Sequence, residues 1–176
     1  MLDKLNNHWA NATSEQIEHG LNWYKKANKE CKRISKKHRV VLWKVVGVMA
    51  ALSPNNKWER NQYDCEQFII DQDHKACTFH GQRDKARAIL KTNRRSKVEG
   101  ILRGPKTKNF YHNMINPLTS QRVTIDMWAM RSINFSASLT KKNYKHIEEK
   151  HQEFAKSKHL LPHQVQAVIW SVVRSA

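Results

Sequence analysis

The chain has 176 residues, enough for one domain to bury a core without disulfides or metal. A composition of 39% hydrophobic and 27% charged residues excludes a disordered chain, and 3 cysteines without a C-x-x-C pair exclude a disulfide framework and favour a reducing compartment. The 32 Lys and Arg against 15 Asp and Glu leave a net charge of +17, spread along the whole length, which points to a polyanion, DNA or RNA, with a merely soluble basic protein or an anionic membrane surface as the competing readings.

With only 5 Gly and 4 Pro, and apolar residues recurring every three or four positions, the chain reads as all-α with short connections. The opening MLDKLNNHWANATSEQ lacks a secretory layout. A first helix is expected over about residues 14 to 38, with Ile17, Leu21, Tyr24 and Ala27 on one face. The run from Val40 to Leu52 is too short to cross a bilayer and carries Lys44, so it reads as a core helix. It is expected to stop at Ser53, which precedes Pro54 and is pushed out of the helical region. A helix from Trp58 to Ile70, a polar loop and a helix over Arg83 to Thr92, with Ala86, Ile89 and Leu90 inward, come next. His74, Cys77 and His80 in that loop have a loosely metal-like spacing, but no fourth ligand is evident and no metal is expected.

From Gly100 to Phe110 a glycine turn is expected to open a helix beginning Pro105-Lys106-Thr107, with Phe110, Tyr111, Met114 and Ile115 buried and Asn116-Pro117 as its end. The unpaired N–H groups of such a helix start, flanked by Arg103, Lys106, Thr107 and Lys108, suit a backbone phosphate as well as an ordinary solvated helix start. VTID is short and extended, and Asp126 falls at the N-cap of the helix MWAMRSIN. Two helices, over about Lys142 to Lys158 and Pro162 to Arg174, complete the pattern.

The run ILRGPKTKNFYHNMI, followed by VTIDMWAMR, resembles the hairpin, second helix and catalytic-aspartate segment of the endonuclease III branch of the helix-hairpin-helix DNA glycosylases. Gly104, Lys106, Thr107 and Asn109 fall on the first motif, and Ile125, Asp126 and Arg131 on the second. AALSPNNKWERN is similar to that family's Leu-Ser-Ala-Gln helix end, RDKARAIL to the helix before the hairpin, and HIEEKHQEFAKSKHLLPHQVQAVIW to the helices after the aspartate. The resemblance covers roughly residues 40 to 174. The chain departs from the family in four ways, one of which is a much shorter connection between Leu90 and Gly100. Gly100 and Gly104 flank Ile101-Leu102-Arg103 where Leu-Pro-Gly-Val-Gly is usual, Trp128 replaces a frequent His, and the four-cysteine loop is absent, so no iron–sulfur cluster is expected.

The resemblance implies a helical glycosylase fold over residues 1–176, with residues 1–39 and the C-terminal helices in one lobe, about 40–135 in the other, and the hairpin at 98–116. It implies Asp126 and Lys106 as the catalytic pair. The carboxylate would stabilise positive charge on the sugar, and the amine would displace the base and cleave the strand through a Schiff base; the competing reading is that Lys106 only grips phosphate, so that water is the nucleophile and abasic sites are left uncut. Leu102, Arg103, Gly104, Thr107, Lys108, Ser53, Asn55 and Arg131 are then expected on DNA, and Trp128 and Trp58 at the base pocket. Tyr63, Phe110 and Tyr111 are further candidates for stacking, with the core as their other reading. The expectation is a DNA N-glycosylase with abasic-site lyase activity. It would act without a cofactor, as a monomer on duplex DNA, off the membrane, in an intracellular compartment with nucleoid or viral DNA. A glycosylase-fold transferase of DNA base hypermodification and a non-catalytic DNA-binding module are the alternatives.

Overall fold

The computed structural model describes residues 1–175, and its regular elements are all helices, with no strand among those residues. The helices are α1 (Leu2–Ala10), α2 (Ser14–His38), α3 (Leu42–Leu52), α4 (Trp58–Ile70), α5 (His80–Lys91), α6 (Val98–Leu102), α7 (Pro105–Ile115), α8 (Met127–Ser132), α9 (Lys141–Ser157) and α10 (Pro162–Ser175); a 3-10 turn, Arg95–Lys97, precedes α6. None is long and apolar enough to cross a membrane, among the described residues. The chain divides into two compact units: Met1–Lys26 with the residues from Asn116 onward, and Ala27–Ile115.

In the first unit, α1, α8, α9 and α10 enclose a core of Leu5, Val123, Ile125, Ala129, Ile147, Phe154, Val165 and Ile169. Helix α1 was not evident in the sequence. It packs through Leu2, Leu5 and Trp9, and its Lys4 and His8 reach the carbonyls of Ile133 (3.5 Å) and Ser132 (2.9 Å) at the end of α8. Helix α2 starts on a reciprocal capping box, in which Thr13 N–H donates to Gln16 Oε1 (2.9 Å) and Gln16 N–H to Thr13 Oγ1 (3.2 Å). Gly20 lets α2 approach α10 closely, since a Cβ there would lie 2.5 Å from Val168 N.

In the second unit, α3 is the hub, packed against α4, α5, α6 and α7 and buried from Val45 to Leu52. Lys44 reaches out of this helix to donate to Leu90 O (2.6 Å) in the last turn of α5, where a cation also suits the helix dipole. Helix α3 ends at Ser53, but Ser53 keeps helical angles (φ −71°, ψ −28°), contrary to the expectation from Pro54. Its hydroxyl and N–H both donate to Ala50 O, tightening the last turn, and the chain turns at Asn55 (φ 59°) instead. Helix α5 begins three residues before the expected Arg83, and His80 Nδ1 lies 3.2 Å from Asp84 Oδ2 across that added turn.

Helix α7 also differs from expectation. Tyr111 and Met114 are buried, but so are Thr107, Asn109 and Asn113, whereas Phe110 and Ile115 are only half-buried. Its core face is therefore partly polar. Asn28 of α2 supports that face by donating to Met114 O (2.7 Å).

Candidate nucleic-acid interface

The turn between α6 and α7 is built from one strained residue. Arg103 has φ 63° and ψ −61°, and Gly104 N–H donates back across it to Leu102 O (2.8 Å). This is the γ-turn with a positive central φ, which is rare and costly for a residue with a Cβ. The sequence pointed to a glycine turn, but no described glycine has positive φ, Gly100 lies inside α6, and Arg103 takes the strained position. The turn holds because the Leu102 carbonyl collects further donors, Thr107 Oγ1 (3.3 Å) and Lys85 Nζ (3.3 Å), and Thr107 Oγ1 also approaches Gly104 O (3.2 Å).

These contacts sort the residues expected on DNA. Leu102 is fully buried, so its side chain cannot face a ligand; it anchors the turn. Thr107 is 6% exposed and its hydroxyl is engaged within the turn, so it too is a positioning residue. Arg103 is exposed, and Gly104, Lys106 and Lys108 are half-buried. Lys85 of α5 adds a cation that sequence reading missed. Burial and then the neighbouring Arg103 charge push its ammonium below the ordinary lysine range.

One turn along α7 from Lys106 lies Phe110, whose ring meets Trp58 edge-on at 6.5 Å. Trp58 opens α4 directly after the loop 53–57, which carries exposed Asn55. The loop itself is pinned by Asp64, a wholly buried carboxylate that sequence reading also missed. Asp64 accepts from Asn56 Nδ2 (3.0 Å), Arg60 Nε (2.9 Å) and Cys77 N–H (2.8 Å), and His74 Nε2 lies 2.8 Å away. Burial pushes its carboxyl up, but the donors outweigh burial and hold it below the ordinary value. His74 and the Cys77 backbone are thus tied to Asp64, and no group of three or more His, Cys, Asp or Glu among the described residues could hold a metal ion.

Asp126 belongs to the first unit, and its placement comes from an extended segment that has no sheet partner. Along α9, Tyr144, Glu148 and Gln152 share one face and serve that segment in turn. Tyr144 OH accepts from Ile125 N–H (3.0 Å) and donates to Val123 O (2.8 Å), Glu148 accepts from Val123 N–H (3.0 Å), and Gln152 donates to Gln121 O (2.8 Å). Tyr24 adds a bond to Thr124 Oγ1 (3.0 Å). Held in this way, Asp126 is the half-buried N-cap of α8 and accepts from Ala129 N–H (2.8 Å).

Two residues on, the Trp128 ring is half-buried and lies under Arg131 (4.7 Å to the ring centre) and Arg174 (5.9 Å). The two expected pocket tryptophans therefore belong to different units, Trp58 with Lys106 in the second and Trp128 with Asp126 in the first.

No curated protein and no solved structure matches this chain. A family model does match, over residues 1–176, and its description is a family of unknown function, DUF7178. A 176-residue helical chain with its basic turn on one unit and its capping aspartate on the other is thus a member of the DUF7178 family.

Proposed function

We propose that this protein is a DNA N-glycosylase with abasic-site lyase activity, of the helix-hairpin-helix, endonuclease III-like kind. The observation that carries the proposal is the turn at Arg103. A non-glycine residue is kept in a costly conformation by three donors on one buried-side carbonyl, and the helix that follows begins with Lys106 and with N–H groups that lack intrahelical partners. Strained residues of this kind cluster at functional sites. Here the strain supports a phosphate bound at the start of α7 by backbone N–H groups, Arg103 and Lys108, with Lys106 presented beside it.

In the proposed reaction, the Lys106 amine attacks the sugar carbon that bears the base. The base leaves with its bonding pair and takes up a proton, the C1′–O4′ ring bond then breaks with protonation of O4′ to give the Schiff base, and loss of a C2′ proton expels the 3′ phosphate. Asp126 stabilises the positive charge that develops on the sugar as the base departs. Asn55, exposed at a positive φ, enters the duplex gap left by the extruded base. The net charge of +17 supports duplex DNA as partner, and the protein would work as a monomer in the compartment that holds nucleoid or viral DNA.

The test is a panel of duplexes, each with one damaged or modified base. The native protein should release at least one such base. Asp126→Asn should keep duplex affinity and lose base release by two orders of magnitude or more; unaltered release would remove Asp126 from the chemistry.

A further inference from the structure

The first unit carries a feature that extends beyond Trp128 and Arg131, which the resemblance assigns to the base pocket and to DNA. Three tryptophans and two arginines from α2, α8 and α10 form one series, in which the arginines alternate with Trp170 and Trp128. Trp23 meets Trp170 edge-on at 6.3 Å, Arg174 lies 4.4 Å from the Trp170 ring centre and 5.9 Å from that of Trp128, and Arg131 covers Trp128 at 4.7 Å. Both arginines are exposed and the three indoles are half-buried. Neither guanidinium has a carboxylate within ion-pair distance among the described residues, whereas Arg33, Arg60 and Arg87 each have one or more.

A stacked arginine without an acidic partner keeps its charge and its outer π-face for a ligand. Alternating π-faces and uncompensated cations match a chain that itself alternates flat bases and phosphates. Only an unpaired strand can use them, because in a duplex the base faces are covered by their neighbours. We infer that the Trp23–Trp170–Arg174–Trp128–Arg131 series binds single-stranded DNA, stacking unpaired bases on its rings and guanidinium planes and neutralising the phosphates between them. The choice of DNA rests on the glycosylase reading. Because Trp128 of α8 is two residues from its N-cap Asp126, the unpaired nucleotides would be those that adjoin the extruded base.

The full chain is titrated with a short oligothymidylate, following tryptophan fluorescence and the anisotropy of a labelled strand over a range of salt. Binding should quench the fluorescence. Arg131→Gln/Arg174→Gln should weaken it at least about tenfold and make the slope of log K against log salt shallower by about 1.4, roughly 0.7 for each lost phosphate contact on a single strand. Trp128→Phe should fold, bind more weakly and quench less. Lys141→Gln/Lys142→Gln, an equal loss of charge on exposed positions of α9, should leave affinity within about twofold.

Native affinity in the double arginine variant, an equal loss in the lysine control, or quenching by an RNA homopolymer or anionic vesicles but not by oligothymidylate would each overturn the inference. Its failure is distinct from failure of the glycosylase reading. Base release from duplexes alongside unaltered oligothymidylate binding in the arginine variant sinks this inference alone. Arginine-dependent strand binding in a native chain that releases no base sinks the glycosylase reading alone.

Discussion

At Arg103 a side chain occupies backbone space that favours glycine, and the turn tolerates it because the Leu102 carbonyl is bonded by Gly104, Thr107 and Lys85. Arg103→Gly should therefore raise stability by about 1 kcal/mol in denaturant unfolding, while weakening duplex binding through the lost cation. A variant that is both less stable and equally tight on DNA would show that the conformation carries no strain and the side chain no contact. Asp64 is the opposite case, a residue whose cost lies in its absence. Asp64→Ala strands four polar neighbours around a buried site and should cost about 3 kcal/mol or more, with the Ser53–Lys57 and 71–79 loops opening first in hydrogen exchange. Asp64 could have been read from the sequence, since Asn61, Asp64, Cys65 and Phe68 fall on one helical stripe and two of the four are polar. A polar residue on a core stripe implies buried partners. The strain at Arg103 had no such signal, because the pattern Arg-Gly-Pro places the permissive residue one position later than the backbone uses it.

Among the elements, the long periodic helices were legible. The expected bounds of α2 and α4 coincide with those found, and Asp126 caps α8 as its position before MWAM implies. Short or polar elements were not. Helix α1 spans nine residues, and its apolar stripe, Leu2, Leu5 and Trp9, is only two turns long. The side chains that fix the extended 121–126 segment lie on α9, some 20 or more positions away in sequence, and no local pattern relates Tyr144 to Val123. Tyr144→Phe removes both bonds of that hydroxyl to the segment. It should cost about 2 kcal/mol and lower base release more than duplex affinity, because Asp126 follows directly on Ile125. Equal losses in both would mean that the segment supports the fold and not the carboxylate. Gly20→Ala should destabilise the first unit, since its new Cβ would meet the Val168 backbone at 2.5 Å and backbone cannot turn aside; thermal unfolding reads the loss directly.

For the whole molecule, acid sensitivity follows from its buried groups. Burial pushes the His163 imidazole down to about 4 and lowers that of His151 as well. The unfolded imidazole titrates near 6.5, so between about 6.5 and 4 the unfolded chain takes up a proton that folded His163 refuses. Stability is full above that window and falls as pH drops through it, by about 3 kcal/mol for His163 alone. Glu66 acts later. Its hydrogen bonds from Arg33, then His38 and Lys37, hold it at about 2, so its contribution is present above the ordinary carboxylate value and is lost as pH falls toward 2. Unfolding midpoints measured from pH 7.5 to 4.5 should thus decline, and His163→Phe should flatten the decline. At this scale the charge pointed to a polyanion and the two motif segments to one chemistry, and the all-helical fold agrees with the periodicity. The chemistry itself is decided by borohydride reduction of the protein with abasic duplex DNA. One covalent protein–DNA species is expected in the native chain, and none in Lys106→Ala at equal DNA affinity. A trapped species that persists in Lys106→Ala, or a native chain that binds abasic DNA and is never trapped, would contradict the proposed chemistry.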